Sequence, residues 1–399
     1  MSIQSSTKKP ILKAALAIAA ILVLLEAGAY VFMIVLGKNF YLPLALTDLT
    51  EDTIPERMQS EFSPELGWEP DHPNAHGYRG EAKPVEDAAI AVFGDKYTVG
   101  HADIDKSWTA QLEDKLGRPV LNFGVGAYGP DQALLRFEHR YVDKLETPYV
   151  ALVMMSGAGA RIVNRYRGFY ARGTDIRYPK PMFAKVEGGE IGLLSNPVES
   201  VEGLVKLSDS AFLEEIGEQD YWYRYFEHYG LNEHPNFSYA YHLAKAVPYY
   251  VKRWHGHSWT NRQSYQAVYQ DDDAVDVLRF IVQRFIGQAE AEGAVPVFVV
   301  LPNRADMEAY VEHGRTSYES AFDQLETIDH PHLVDGLDFF KAELEGGTGV
   351  DAFFQARGDD SLTARAEQII GEAMHRLIID IDAGEGLLEG PAKTADVSG

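Results

Sequence analysis

Three stretches of this chain gather side chains whose types and spacing could do chemistry. The first is Gly94-Asp95-Lys96-Tyr97-Thr98-Val99-Gly100, which follows the apolar run Ala88 to Phe93 and precedes a helix-like segment. A carboxylate beside an ammonium on a strand, turn and helix corner stands where open α/β sheets present their reactive groups. A lysine next to Asp95 keeps its proton unless it is desolvated, and no desolvating context is visible, so Lys96 is not a ready nucleophile. The second stretch holds Arg161, Asn164, Arg165 and Arg167. This cationic cluster could hold an anionic glycan or pair with local carboxylates. The third, Asp271-Asp272-Asp273, lacks the glycine turn and glutamate of a calcium loop and reads as a solvated helix start. Ser156 lacks the Gly-x-Ser-x-Gly surround of a nucleophile elbow. His228, His234, His242, His255 and His257 fall in one region without a carboxylate at metal-ligand spacing, so no metal and no cofactor are expected.

The whole chain narrows the classes of function. Its 399 residues are 46% hydrophobic and 24% charged, enough for one large core with an inserted sub-domain. The net charge of −24 lacks the basic footprint that nucleic-acid binding needs. With no cysteine, disulfides, thiol nucleophiles and thiolate-ligated zinc are excluded.

Near the N-terminus, Lys8, Lys9 and Lys13 precede an almost unbroken apolar stretch from Ala14 to Leu36. That length suits a bilayer span, with the basic flank cytoplasmic and the body periplasmic or otherwise extracytoplasmic, on a single-pass inner-membrane anchor. Ala27-Gly28-Ala29 would suit a cleaved signal peptide, but Tyr30 to Leu36 continues the apolar run beyond it, which favours the anchor. Glu26 interrupts the segment and calls for a polar partner or a place near the interface.

The elements that must position these groups follow from periodicity. Apolar runs at Ala88 to Phe93, Pro119 to Phe123, Tyr149 to Met155, Val295 to Leu301 and His332 to Val334 suit buried parallel strands. Helix-like segments alternate with them at Trp108 to Leu116, Asp131 to Val142, Ala274 to Glu292 and Leu362 to Ile379. The expectation is a three-layer α/β/α sandwich around a parallel sheet of about five strands. Its parts are a cytoplasmic 1–10, an anchor at 11–36, a juxtamembrane linker at 37–84, the main domain at 85–380 and a disordered tail at 381–399. The gap at about 166–273 is too long for a plain crossover and is expected to be a mostly helical insert. It is dense in aromatic residues, including Tyr221-Trp222-Tyr223 and Tyr249-Tyr250, which could stack on sugars, present a partner surface or form the insert's own core.

Several segments taken in order resemble the membrane-anchored SGNH (GDSL) hydrolase-like proteins of bacteria. They are Gly67-Trp68-Glu69-Pro70, the Gly94-Asp95 turn, Asn122 to Gln132, Asn164-Arg165-Tyr166-Arg167, Lys180-Pro181-Met182-Phe183 and Phe353 to Met374. The resemblance runs from about Leu25 to Ile379 and implies a flavodoxin-like sheet. It also implies an ester-cleaving site made of a serine, a histidine and an aspartate, with a glycine N–H and an asparagine side chain completing the oxyanion hole. Each position of that site is altered here. Lys96 resembles the nucleophile position, Ala127 the glycine, and Gly159 the asparagine, whose loss costs on the order of 2.7–4 kcal/mol in the barrier. Arg357 stands for the aspartate and Asp359 for the histidine.

The resemblance therefore implies a catalytically inactive, membrane-anchored protein that binds or scaffolds in surface or exopolysaccharide modification or assembly. Its partners would be the membrane, a surface glycan, or a membrane acyltransferase or other polysaccharide-assembly protein. The other readings are an active but divergent acyl-ester hydrolase or O-acyltransferase on glycans, and a structural protein using the aromatic insert as its interface. Lys96 and Asp359, with Arg357 and Asp95 nearby, are expected to form a salt-bridge network in the vestigial pocket.

Overall fold

The computed structural model describes residues 8–36, 49–171, 177–232, 237–255, 268–356 and 359–388. Arg357, His234 and His257 lie outside them, as does the side chain of Asp359. The chain forms two compact units.

The larger unit comprises Pro55–Asn164, Pro179–Val201 and Thr260–Gly399. Its centre is a five-stranded sheet of β1 (Ile90–Gly94), β2 (Val120–Asn122), β3 (Tyr149–Met155), β4 (Val295–Leu301) and β5 (Leu333–Asp335), in spatial order β2-β1-β3-β4-β5. All four pairings are parallel, with Ile90 opposite Val120 and Tyr149, Tyr149 opposite Val295, and Phe298 opposite Leu333. Every residue of β1 and β3 is buried, as a strand covered on both faces requires.

Alternation splits β1 between two cores. Ile90 and Val92 join Trp108, Leu112, Ile370, Met374 and Ile378 on one face. On the other, Phe93 stacks on Phe123 at 4.6 Å and meets Phe137, which meets Phe285. The helices supplying these groups are α2 (Trp108–Leu116), α3 (Pro130–Arg140), α4 (Asp272–Ala291) and α6 (Ala364–Glu385), while α1 (Lys96–Val99) and α5 (Arg304–His313) follow β1 and β4. The result is the expected α/β/α sandwich.

Local chemistry sets the helix ends. The Asp271 side chain accepts from Ala274 N, with Asp272 and Asp273 in the first turn of α4, so the acidic triplet is a helix start. Ser107 caps α2, and Gly117 ends it at φ 64°. Two expected boundaries change. The stretch read as a linker belongs to this unit from Pro55 onward: Trp68 and Tyr78 are buried, and Trp68 Nε1 donates to Gly126 O at 3.3 Å. The stretch read as a disordered tail begins inside α6, because Asp382 accepts from Tyr149 Oη and from Leu387 N and Leu388 N, each at 2.8 Å.

The smaller unit joins Met1–Ile54, Arg165–Tyr178 and Glu202–Trp259. Its elements are the N-terminal helix Lys8–Tyr30 and the helices Ser210–Gly217, Tyr221–His228 and Tyr239–His255. The apolar stretch Ile11–Met33 has a mean hydropathy of 2.3 and is long and apolar enough to cross a membrane. The insert is mostly helical, with one antiparallel strand pair at Met182–Lys185 and Ile191–Leu194 in the larger unit, and its rings make a small core of their own: Trp222, Phe226 and Tyr249 are buried, with Phe226 and Tyr249 5.7 Å apart.

Candidate functional site

The strand order reverses direction between β1 and β3, so the carboxyl ends of these two strands flank the crevice where ligands bind in such sheets. Gly94 ends β1 because nothing larger fits: a Cβ there would run into Val153 O and Thr98 Oγ1. Asp95 then caps α1, its Oδ1 accepting from Tyr97 N at 2.9 Å and its Oδ2 from Met155 N at 3.3 Å. Its carboxylate is about 2% exposed and meets Arg161 Nη1 at 3.6 Å. Burial pushes the Asp95 carboxyl above its usual range, while the Arg161 guanidinium and the two N–H donors pull it back. The expected turn is thus built around a held carboxylate. Lys96 is half-buried, its Nζ 5.6 Å from the centre of the Tyr97 ring.

The loop after β2 keeps an unusual backbone. Ala127 stands at φ 70°, the left-handed region that favours glycine, so its N–H is presented as a glycine's would be. Trp68 braces this loop through Gly126 O, and Tyr128 Oη donates to Trp68 O. Asn122 of the same block is structural: its Nδ2 donates to Thr98 O at 2.8 Å and Thr109 Oγ1 at 3.0 Å.

The loop after β3 is filled. Gly159 is buried, and a Cβ on it would lie 2.7 Å from Tyr269 Cζ and closer still to Tyr269 Oη. That hydroxyl donates to Ser156 O. Ser156 Oγ donates to Asp306 and accepts from Asn303 N at 3.2 Å, and Ser317 Oγ also donates to Asp306. Burial raises the Asp306 carboxyl above its usual range. Ser156 is thus joined to a buried carboxylate, with no imidazole among its described partners.

The predicted cationic cluster divides between the two units. Arg161 belongs to the site just described, pairing with Asp95 and donating to Tyr128 O, and Asn164 is buried in the same unit. In the smaller unit, Arg165 donates through its N–H to Asp220 Oδ2 at 2.6 Å and through Nη1 to Gln219 Oε1 at 2.8 Å. Arg167 Nη1 donates to Tyr170 Oη at 2.8 Å. For Arg161 local pairing accounts for the charge. The backbone of Asp359 opens the strand Asp359–Leu362.

Two features escaped the sequence reading. Tyr269 lies 110 positions beyond Gly159, and no local pattern ties them. The second is a polar cleft of about 330 Å³ lined by Glu69, His72, Asn74, Gly77 and Arg140. There, Glu69 accepts from Arg136 Nη1 and Arg140 Nη2, both at 2.6 Å, and His72 Nε2 lies 3.2 Å from Arg136 Nη2. Burial, then the neighbouring Arg136, lowers His72 from 6.5 to about 4. Among the described residues no group of three or more histidine, aspartate or glutamate side chains could hold a metal ion.

No protein-family model and no curated protein matches the chain. Among solved structures it is similar to a protein assigned to the G-D-S-L lipolytic family from Desulfitobacterium hafniense, at 10% identity and a TM-score of 0.35, covering 73% of this chain and 99% of that one. It is also similar to a Bacillus subtilis protein at 12% identity and a TM-score of 0.34, covering 77% of this chain and 60% of that one. The assignment of the fold rests on the strand order and parallel register given above.

Proposed function

We propose that this is a single-pass, extracytoplasmic SGNH-hydrolase-like protein that does not hydrolyse esters and instead binds or scaffolds in surface-polysaccharide modification or assembly. The observation that carries the loss of chemistry is the filling of the loop after β3. Where the resemblance calls for an asparagine donor, Gly159 backs onto Tyr269, leaving no room for a side chain. Three further features support it: a lysine at the nucleophile position, Asp95 consumed by Arg161 and two N–H groups, and Ser156 committed to Asp306. Lys96 facing Asp359 across this site belongs to the same proposal. The polysaccharide setting rests on the sequence resemblance, and the apolar span Ile11–Met33 supports the anchor.

The test uses the purified full chain in detergent micelles with short-chain aryl esters and acetylated glycans. The expected result is no turnover above buffer. Turnover abolished by Lys96→Ala or Asp359→Asn would refute the proposal and favour an acyl-transferring enzyme.

A further inference from the structure

The helix Tyr239–His255 turns its apolar side outward. At 100° per residue, Tyr241, Ala244, Val247, Pro248 and Val251 share one sector about 120° wide, and all five are exposed. Tyr241 is 64% exposed, Val247 45% and Val251 46%, and Phe237 just before the helix is 83% exposed. The opposite side packs inward, with His242, Ala246 and Tyr249 buried within the unit. Lys245, Lys252 and Arg253 carry the charge of this helix, and an apolar face left exposed beside them marks a contact surface. By contrast, α4 shows Gln283, Arg284 and Glu290 to solvent.

What covers that outer face follows from where the helix begins. Glu26, inside the apolar span, accepts from Ser238 Oγ at 2.8 Å, Tyr239 N at 2.5 Å and Ala240 N at 3.1 Å. A carboxylate thus caps the first turn and satisfies N–H groups that would be costly to bury bare in hydrocarbon. Tyr30 meets Tyr239 edge-on at 5.0 Å. Glu26 lies seven residues before Met33, the last residue of the span, hence about 10 Å inside it at 1.5 Å per residue. The anchor to which the helix start is tied is itself exposed and apolar, with Leu24 71% and Phe32 42% exposed.

We infer that the helix Tyr239–His255 is a second membrane contact, its Tyr241, Val247 and Val251 face lying in the boundary between headgroups and acyl chains of the bilayer. The inference rests on reading Ile11–Met33 as a membrane anchor. Lys245, at the edge of the apolar sector, has the stem length to reach the headgroups. The insert is thereby fastened at the membrane surface by its own helix as well as by the bond of that helix's first turn to Glu26 of the anchor.

The absence of native cysteine permits a clean test. Single substitutions Tyr241→Cys, Val247→Cys, Val251→Cys and, separately, Leu24→Cys are labelled with an environment-sensitive fluorophore. The full chain is then reconstituted into phosphatidylcholine and phosphatidylglycerol vesicles. Expected is a blue-shifted emission at all four sites that loses most of its intensity to a quencher on the acyl chains and little to aqueous iodide. Quenching by lipid at Leu24 but by iodide at the other three would overturn the inference and leave the anchor standing. Blue-shifted emission at those three that neither quencher reaches would mean that protein covers the face, which also overturns it. Loss of lipid quenching at Leu24 itself would instead refute the anchor.

Discussion

Gly159 and Tyr269 should behave as one unit, because the ring occupies the volume that any side chain at 159 would need. A Cβ at 159 falls 2.7 Å from Tyr269 Cζ, inside the 3.0 Å below which something must shift. Gly159→Ala should therefore cost about 1–3 kcal/mol of stability, the usual range for overpacking a filled core. Tyr269→Ala removes a buried ring and the donor to Ser156 O, and should cost about 3–5 kcal/mol, as large aromatic truncations do. The double variant should be no less stable than Tyr269→Ala alone, since the clash has gone, which gives a coupling of about 1–3 kcal/mol. Urea unfolding of the full chain in micelles, followed by tryptophan fluorescence, measures all four corners of this cycle. Losses that add to within about 0.5 kcal/mol would refute the claim that Tyr269 fills the position. Gly159→Asn should likewise be tolerated only in the Tyr269→Ala background.

Two further predictions concern pH, with opposite signs. Burial raises Glu367, which accepts from Trp108 N at 2.8 Å, from 4.5 to about 7, so the folded state holds this proton more tightly than the unfolded chain and stability falls as pH rises through that window. Glu367→Gln should thus be more stable than the parent at pH 8 by up to about 3 kcal/mol and nearly equal to it at pH 4.5, as read by thermal unfolding; equal destabilisation at both pH values would refute the assignment. His72, lowered from 6.5 to about 4, adds stability that is present above pH 6.5 and lost as pH falls toward 4. His72→Gln should remove on the order of 2 kcal/mol of that acid-side loss after solvent screening, and an unchanged acid limb would count against it.

Much of the architecture was legible because its causes are local or periodic. Apolar runs such as Tyr149 to Met155 signal strands buried on both faces, and an aspartate before a helix offers its own oxygen to the N–H groups two or three residues on, as Asp95 and Asp271 do. The linker and tail boundaries were misread for the complementary reason. Trp68 and Asp382 are tied down by Gly126 and Tyr149, partners that no window around them contains.

The site divides along the same line. Sequence alone supplies the residue types on which the proposed loss of chemistry rests: Lys96 where the resemblance calls for a nucleophile, and Gly159 where it calls for a donor. It also marked Glu26 as a carboxylate in an apolar span that calls for a polar partner or a place near the interface. Only the tertiary structure decided what packs against Gly159 and which charges meet. Tyr269 over Gly159, Arg161 on the Asp95 carboxylate, and the first turn of a helix more than two hundred residues away on Glu26 are all products of chain packing. The physical reason is that side-chain type is a property of one position, whereas occupancy of a volume and the pairing of charges depend on which distant segments the fold brings there.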